Sequence, residues 1–335
     1  MIITRTPYRI SLFGGGTDYP DWFRKHGGAV INATIDKYCY ISATTYNKVF
    51  PQRYKVYWNI VELVEKIDDI KHPVVREGLK MLEYTGSLKL YYHGDLPAYS
   101  GLGSSSSFAV GFIHAILSLC NKTVEKQQIA DLAIRLEREI LKENGGVQDQ
   151  LAATYGGLNY FDFSHNGIQR QELRTAKLEE KLMLFYLGRD ENRFSSTYAK
   201  SWIDNMESKE ATLKGIHQIT KDALSIFQGR NPDLDELGCL LHDTWQLKKN
   251  ISDMISDPLI DQIYGMARKA GALGGKLLGA GGRGFMLFYV PEKKQEVVKA
   301  ALEGCHHTPF RFELEDCHHT PFRFENNGTK YFRIS

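Results

Sequence analysis

Residues 101–107 read Gly-Leu-Gly-Ser-Ser-Ser-Ser and run directly into an apolar stretch ending near Cys120. The residues before them, Pro97-Ala98-Tyr99-Ser100, are loop-forming. Glycines let successive backbone N–H groups turn into one concavity, and a helix behind such a loop adds free amides and the positive end of its dipole. Serine hydroxyls suit phosphate oxygens or a hard cation. No Gly-Lys-Ser/Thr follows, so this is not a Walker A loop. Alone, it is equally well a flexible loop ahead of a Ser-capped helix. Three further glycine-dense sites accompany it, at residues 12–19, 145–150 and 278–285. Close backbone approach to a polyanion and its acceptor would account for all four.

The rest of the chain excludes several classes. With 335 residues, 42% of them apolar, it is long enough for two cores. A formal charge of +2 gives no reason to expect nucleic acid or an anionic membrane as partner. No stretch reaches the ~20 apolar residues of a membrane helix, and the first residues lack a signal-peptide pattern. Five scattered cysteines do not suggest a disulfide framework. A cytoplasmic location is the expectation.

Periodicity predicts strands over 1–11, 29–45 (one or two), 54–58, 88–92, 158–163, 181–187 and 285–290. It predicts helices over 72–84, 104–120, 124–144 and 148–155, and four more within 197–270, with breaks near Ser208, Asn231-Pro232 and Asp257-Pro258. Pro291 opens a last helix. Strands and helices mix without strict alternation, so the fold class is α+β, with two domains, 1–165 and 166–335, divided near residue 165 give or take ten. Residues 302–313 and 314–325 are identical at eleven of twelve positions, which reads as a recent tandem duplication or an artefact of sequence assembly.

In order and separation, three motifs resemble those of the GHMP kinases, the superfamily of galactokinase, homoserine kinase, mevalonate kinase and phosphomevalonate kinase. They are residues 6–19 (TPYRISLFGGGTDY), the loop at 101–107, and the glycine-rich residues 276–285. Gly14-Gly15-Gly16-Thr17-Asp18, the serine run followed by Phe108, and Gln148-Asp149-Gln150 are most similar to the D-glycero-D-manno-heptose 7-phosphate kinases.

The resemblance implies a two-domain fold with the active site in the interdomain cleft. It implies an ATP- and Mg2+-dependent enzyme that phosphorylates the anomeric hydroxyl of a heptose 7-phosphate. Another sugar-1-kinase acting on fucose or a hexose is the alternative, and a catalytically silent sugar- and ATP-binding regulator a third. Partners would be ATP and a small sugar phosphate, and a homo-oligomer stays open.

By the same resemblance, Gly101, Leu102, Gly103, Ser104, Ser105 and Ser106 hold the ATP phosphates. Ser105 and Glu137 bind magnesium, with Glu139 and Glu143 as rivals to Glu137. Asp149 is the catalytic aspartate, orienting the acceptor hydroxyl or taking its proton, and Arg9 is its basic neighbour. Gly16, Thr17, Asp18, Gly281 and Gly282 contact the sugar, and Arg193 and Lys276 are candidates for its phosphate. Trp58 is a candidate flank for adenine. Each has a plainer reading: a helix cap for Asp149, turn chemistry for Thr17 and Asp18, a core aromatic for Trp58.

Three positions depart from the pattern: Tyr99, where a basic residue is expected; Gly146-Val147; and Arg283, where glycine is expected. Arg283 would either obstruct the third loop or itself contact phosphate. Cys305, His306, His307, Cys317, His318 and His319 supply the residue types of a zinc site, but adjacent strand residues face opposite ways and converge poorly.

Overall fold

A computed structural model describes residues 1–46, 51–98, 100–174, 177–188, 195–230, 232–303 and 317–334, with backbone alone over 195–199. Strands β1 (Ile2–Phe13), β2 (Gly28–Thr44), β3 (Tyr54–Tyr57), β4 (Val61–Val64), β5 (Leu88–Gly94), β6 (Leu158–Ser164) and β7 (Gly167–Glu172) belong to one sheet. Strands β8 (Leu182–Tyr186), β9 (Gly274–Leu277), β10 (Phe285–Tyr289) and β11 (His318–His319) form a second, ordered β11-β8-β10-β9. The last strand, β12 (Lys330–Arg333), returns to pair antiparallel with β1.

Seventeen residues long, β2 organises the first sheet. One of its edges carries β1; the other carries β6 opposite Gly28–Ala33 and β5 opposite Cys39–Thr44. The β1–β2 register slips between Pro7 and Arg9, and such a bulge re-aims the side chains beside it. Helices α1 (Pro20–His26), α2 (Pro73–Met81), α3 (Ser104–Leu119), α4 (Lys126–Ile134) and α5 (Gln148–Tyr155) accompany this sheet. Buried along nearly its whole length, α3 is apolar all round and lies on β1 and β2. Gly111 allows that approach, since a Cβ there would stand 2.7 Å from Thr6 Oγ1. The second sheet is accompanied by α6 (Ser195–Asn205), α7 (Glu210–Gln228), α8 (Asp235–Lys249), α9 (Pro258–Ala270) and α10 (Gln295–Glu303).

The mixed α+β class is as expected, and the four helices of the second half break where Ser208, Asn231-Pro232 and Asp257-Pro258 predict. Three local readings are corrected. The helix expected over 124–144 is α4 followed by a π-helical segment, Arg135–Ile140. A strand not expected from periodicity, β9, leads into the third glycine loop, and its Gly274 and Gly275 lie against Gly238 O and Leu287 O. The β6–β7 hairpin continues in the first sheet to Glu172, within the margin of ten given to the boundary near 165, but β12, expected with the second domain, pairs in the first sheet. Cys305, His306 and His307 lie outside the described residues, as does Arg193. His318 and His319 of the second repeat copy pair with Tyr186 and Phe185 of β8. Among the described residues, no group of three or more His, Cys, Asp or Glu is placed to hold a metal ion. No described helix is long and apolar enough to cross a membrane.

Candidate active site

A cleft of about 720 Å³ runs between the loop at 101–106, the turn at 14–18, α5 and the third glycine loop. Gly101 and Gly103 both have positive φ, at 82° and 74°, and Gly103 is the residue before α3. No side chain caps α3, so its first N–H groups stay available to an anion. Ser104 and Ser105 open toward the cleft, while Ser107 is buried and donates to Pro7 O (2.9 Å), fixing the helix start to β1. Leu102 contributes backbone only: its side chain is buried and its carbonyl accepts from Arg9 N at 3.0 Å.

Arg9 is the hub. Its guanidinium donates from Nε and Nη2 to the two carboxylate oxygens of Asp149, each at 2.7 Å, and from Nη1 to Gly101 O at 2.5 Å. A bidentate pair of this kind fixes both partners. Arg9 is buried, whereas the Asp149 side chain keeps a quarter of its surface exposed in the cleft. The aspartate, in the first turn of α5, is therefore held at the edge of the serine loop with access to ligand.

Glu137 lies across the loop on the π-helical segment, the kind of irregularity that turns a side chain off the ordinary helix face. Its carboxylate accepts from Ser105 Oγ (2.9 Å) and Gln150 Nε2 (2.6 Å). Burial, reinforced by Glu143, raises its pKa to about 7. A carboxylate and a hydroxyl converging beside an uncapped helix start are hard oxygen donors, and they fit a magnesium ion.

Asp18 joins two glycine loops. It accepts from Gly16 N (2.9 Å) and Gln148 N (3.2 Å), and a Cβ on Gly146 would stand 1.7 Å from its Oδ2. The Gly146-Val147 variant thus lets the α5 loop close onto Asp18. Burial and then the charge of Asp149 raise the Asp18 pKa.

Thr17 does not line the cleft: its hydroxyl donates toward Gly14 O and Ala29 O and accepts from Ala29 N, so turn chemistry is its role. Gly281 and Gly282 also turn away from the cleft, toward Ile255; Gly279 and Ala280 line it instead. Arg283 neither obstructs the loop nor reaches the cleft. Its φ is not positive, and its guanidinium reaches Asp257 at 3.8 Å.

Much of the glycine density serves backbone-on-backbone packing. A Cβ on Gly101 would stand 2.6 Å from Leu278 O, and one on Gly279 would stand 2.7 Å from Gly101 Cα. The serine loop and the third glycine loop lie back to back, tied by Phe285 N to Ser100 O.

Trp58 lines one end of the cleft and stands edge-on to His72, which stacks on Phe108. Buried Glu62 holds this group, accepting from Trp58 Nε1 (2.8 Å) and His72 N (3.1 Å). Burial lowers the His72 pKa to about 4, leaving a neutral aromatic wall.

Lys276 lines the cleft as expected and donates to Leu12 O at 3.2 Å. Sequence reasoning missed Lys248, Gln150, Glu62 and Trp202, whose ring covers Gly16 and whose Nε1 donates to Ala280 O. A signal for Lys248 was present: Leu237, Leu241, Thr244, Trp245 and Lys248 make one buried stripe of α8.

Family models match two segments: GHMP kinases N terminal domain over residues 69–157, and GHMP kinases C terminal over 222–307. The chain is 33% identical to the D-glycero-alpha-D-manno-heptose 7-phosphate kinase of Campylobacter jejuni, across 89% of this chain and 92% of that protein. It is 26% identical to the galactokinase of Pyrococcus furiosus, across 90% and 92% of the two chains. Its fold superposes on a crystal structure of a D-glycero-D-manno-heptose 1-phosphate kinase from Bacteroides thetaiotaomicron with a TM-score of 0.76, at 24% identity and with 100% of both chains covered.

Proposed function

This chain belongs to the GHMP kinases, a family of ATP-dependent phosphotransferases, and on that premise we propose that it transfers the γ-phosphoryl of ATP to the anomeric hydroxyl of D-glycero-D-manno-heptose 7-phosphate, giving the 1,7-bisphosphate. The observation that carries the reading is the Arg9–Asp149 pair, locked at the rim of a serine loop whose helix start is uncapped. Phosphoryl transfer asks a protein mainly to position its reactants and neutralise charge. The amides of α3 with Ser104, Ser105 and Ser106 cradle the triphosphate. Trp58 and His72 flank the base. Ser105 and Glu137 hold magnesium, which when bound neutralises charge on the phosphates.

Asp149 accepts a hydrogen bond from the acceptor hydroxyl and aligns its oxygen with the γ-phosphorus. The new oxygen–phosphorus bond forms as the bond to the β–γ bridging oxygen breaks, and the hydroxyl proton passes to Asp149. A carboxylate is a weak base, so orientation is its larger contribution. Arg9 keeps the carboxylate from rotating and sets its distance from the loop through Gly101. Asp18 and Gly16 face the sugar.

A related galactokinase and a related bifunctional fucokinase favour a second reading, with a hexose as acceptor. ADP release measured with D-glycero-D-manno-heptose 7-phosphate, mannose 6-phosphate, galactose and L-fucose separates the two. The heptose phosphate is expected to give the highest kcat/KM; a higher value for an unphosphorylated hexose would overturn the acceptor assignment.

A further inference from the structure

Lys248 stands in the last turn of α8 and Lys276 on β9, and both line the cleft although they are only 4% and 3% exposed. Lys248 Nζ donates to Leu277 O and Gly279 O, each at 2.7 Å, and Lys276 Nζ to Leu12 O at 3.2 Å. An ammonium has three hydrogens, so Lys248 keeps one and Lys276 two for the cleft. Carbonyls satisfy hydrogens but supply no countercharge, and a buried cation without an anion is costly. The cleft's other buried cation, Arg9, already has Asp149. Asp18 acts on Lys276 from a distance and is held by Gly16 N and Gln148 N. Among the described residues, neither lysine forms an ion pair with a carboxylate.

We propose that Lys248 and Lys276 form a seat for a second anion, separate from the nucleotide phosphates: a phosphate already carried by the acceptor. The seat rests on the kinase reading of the cleft. Its position follows from its neighbours. Lys276 bonds the backbone just before the turn at 14–18, and Lys248 fixes the third loop, whereas the triphosphate has its own donors at the start of α3. The enzyme therefore selects acceptors that are already phosphorylated, and discriminates against neutral sugars by leaving both ammonium groups unmatched.

The pair also couples anion binding to protons. Burial, then the charge of Arg9, bring Lys276 down to about 7 against the opposing pull of Asp18, and burial with Lys276 and Arg9 lowers Lys248 well below the ordinary lysine value. The charged groups facing the pair are Arg9 on β1, Asp18 on the turn, and the partner lysine; Asp149 on α5 is matched to Arg9. At pH 8 an arriving phosphate restores positive charge to the Lys276 amine, so binding takes up protons.

The test uses the full chain saturated with magnesium and a non-hydrolysable ATP analogue, titrated calorimetrically with inorganic phosphate at pH 8 in two buffers of different ionisation enthalpy. Phosphate is expected to bind with net proton uptake. Lys248→Met and Lys276→Met, read separately, are expected to weaken phosphate by about tenfold or more, and Lys276→Met to remove the proton uptake, with analogue affinity retained as the sign of an assembled cleft. Equal phosphate binding by both variants, or none by the loaded wild-type protein, would overturn the seat. Loss of analogue binding in the variants would reassign the lysines to the nucleotide and overturn it too. A wild-type protein that fails to bind the analogue would instead sink the kinase reading, and the seat with it.

Discussion

Glu137 shows what a functional site costs at a single residue. A carboxyl with a folded pKa of about 7 against an ordinary value of 4.5 binds its proton more tightly folded than unfolded. Its contribution to stability is full below pH 4.5 and is lost as pH rises through about 7. Well above that, the ionised group costs roughly 3 kcal/mol in the metal-free protein. Glu137→Gln should therefore raise the melting temperature of the metal-free protein at pH 8 and change it little at pH 4.5, while turnover at limiting magnesium falls. A variant less stable than wild type at pH 8 would contradict this account of the carboxyl. Arg283 makes the opposite point. It occupies a position where glycine is expected, but its backbone needs no positive φ and its side chain turns to Asp257. Arg283→Ala should leave kcat/KM within about twofold and stability within about 0.5 kcal/mol; a tenfold loss of activity would return Arg283 to the site.

Among elements, the glycine loops act as a packed pair rather than as separate cradles. Gly101 has a positive φ and no room for a methyl group beside Leu278. Gly101→Ala should destabilise the fold by about 1–3 kcal/mol and raise the KM for ATP, because the loop at 101–106 must move off its neighbour. An unchanged melting temperature would contradict the back-to-back arrangement. The serine loop, the Asp149 helix and the breaks between α6, α7, α8 and α9 were legible in the sequence because glycine, proline and apolar period act locally. The partners of these loops were not. Nothing in Leu278-Gly279 says that it faces Gly101, and Thr17 and Asp18, adjacent in sequence, part ways because one side chain points at Ala29 and the other into the cleft. The π-helical turn that carries Glu137 was also invisible, since its residues read as ordinary helix. Lys248 was legible in principle, as a charge on an apolar stripe.

At the scale of the whole molecule, the cleft lies where two sheets meet through loops, and the end of the chain closes the first sheet through β12. The described part of the second repeat copy packs on the molecule: β11 pairs with β8, Phe324 bridges Ile35, and Asp36 accepts from Arg323 N. All of this serves one arrangement, an aspartate clamped by arginine beside the serine loop, and replacing that aspartate by its uncharged isostere tests it most directly. With Asp149→Asn, turnover should fall by about 10²–10⁴-fold while the ATP analogue binds with near wild-type affinity. Turnover within a few-fold of wild type would contradict the account.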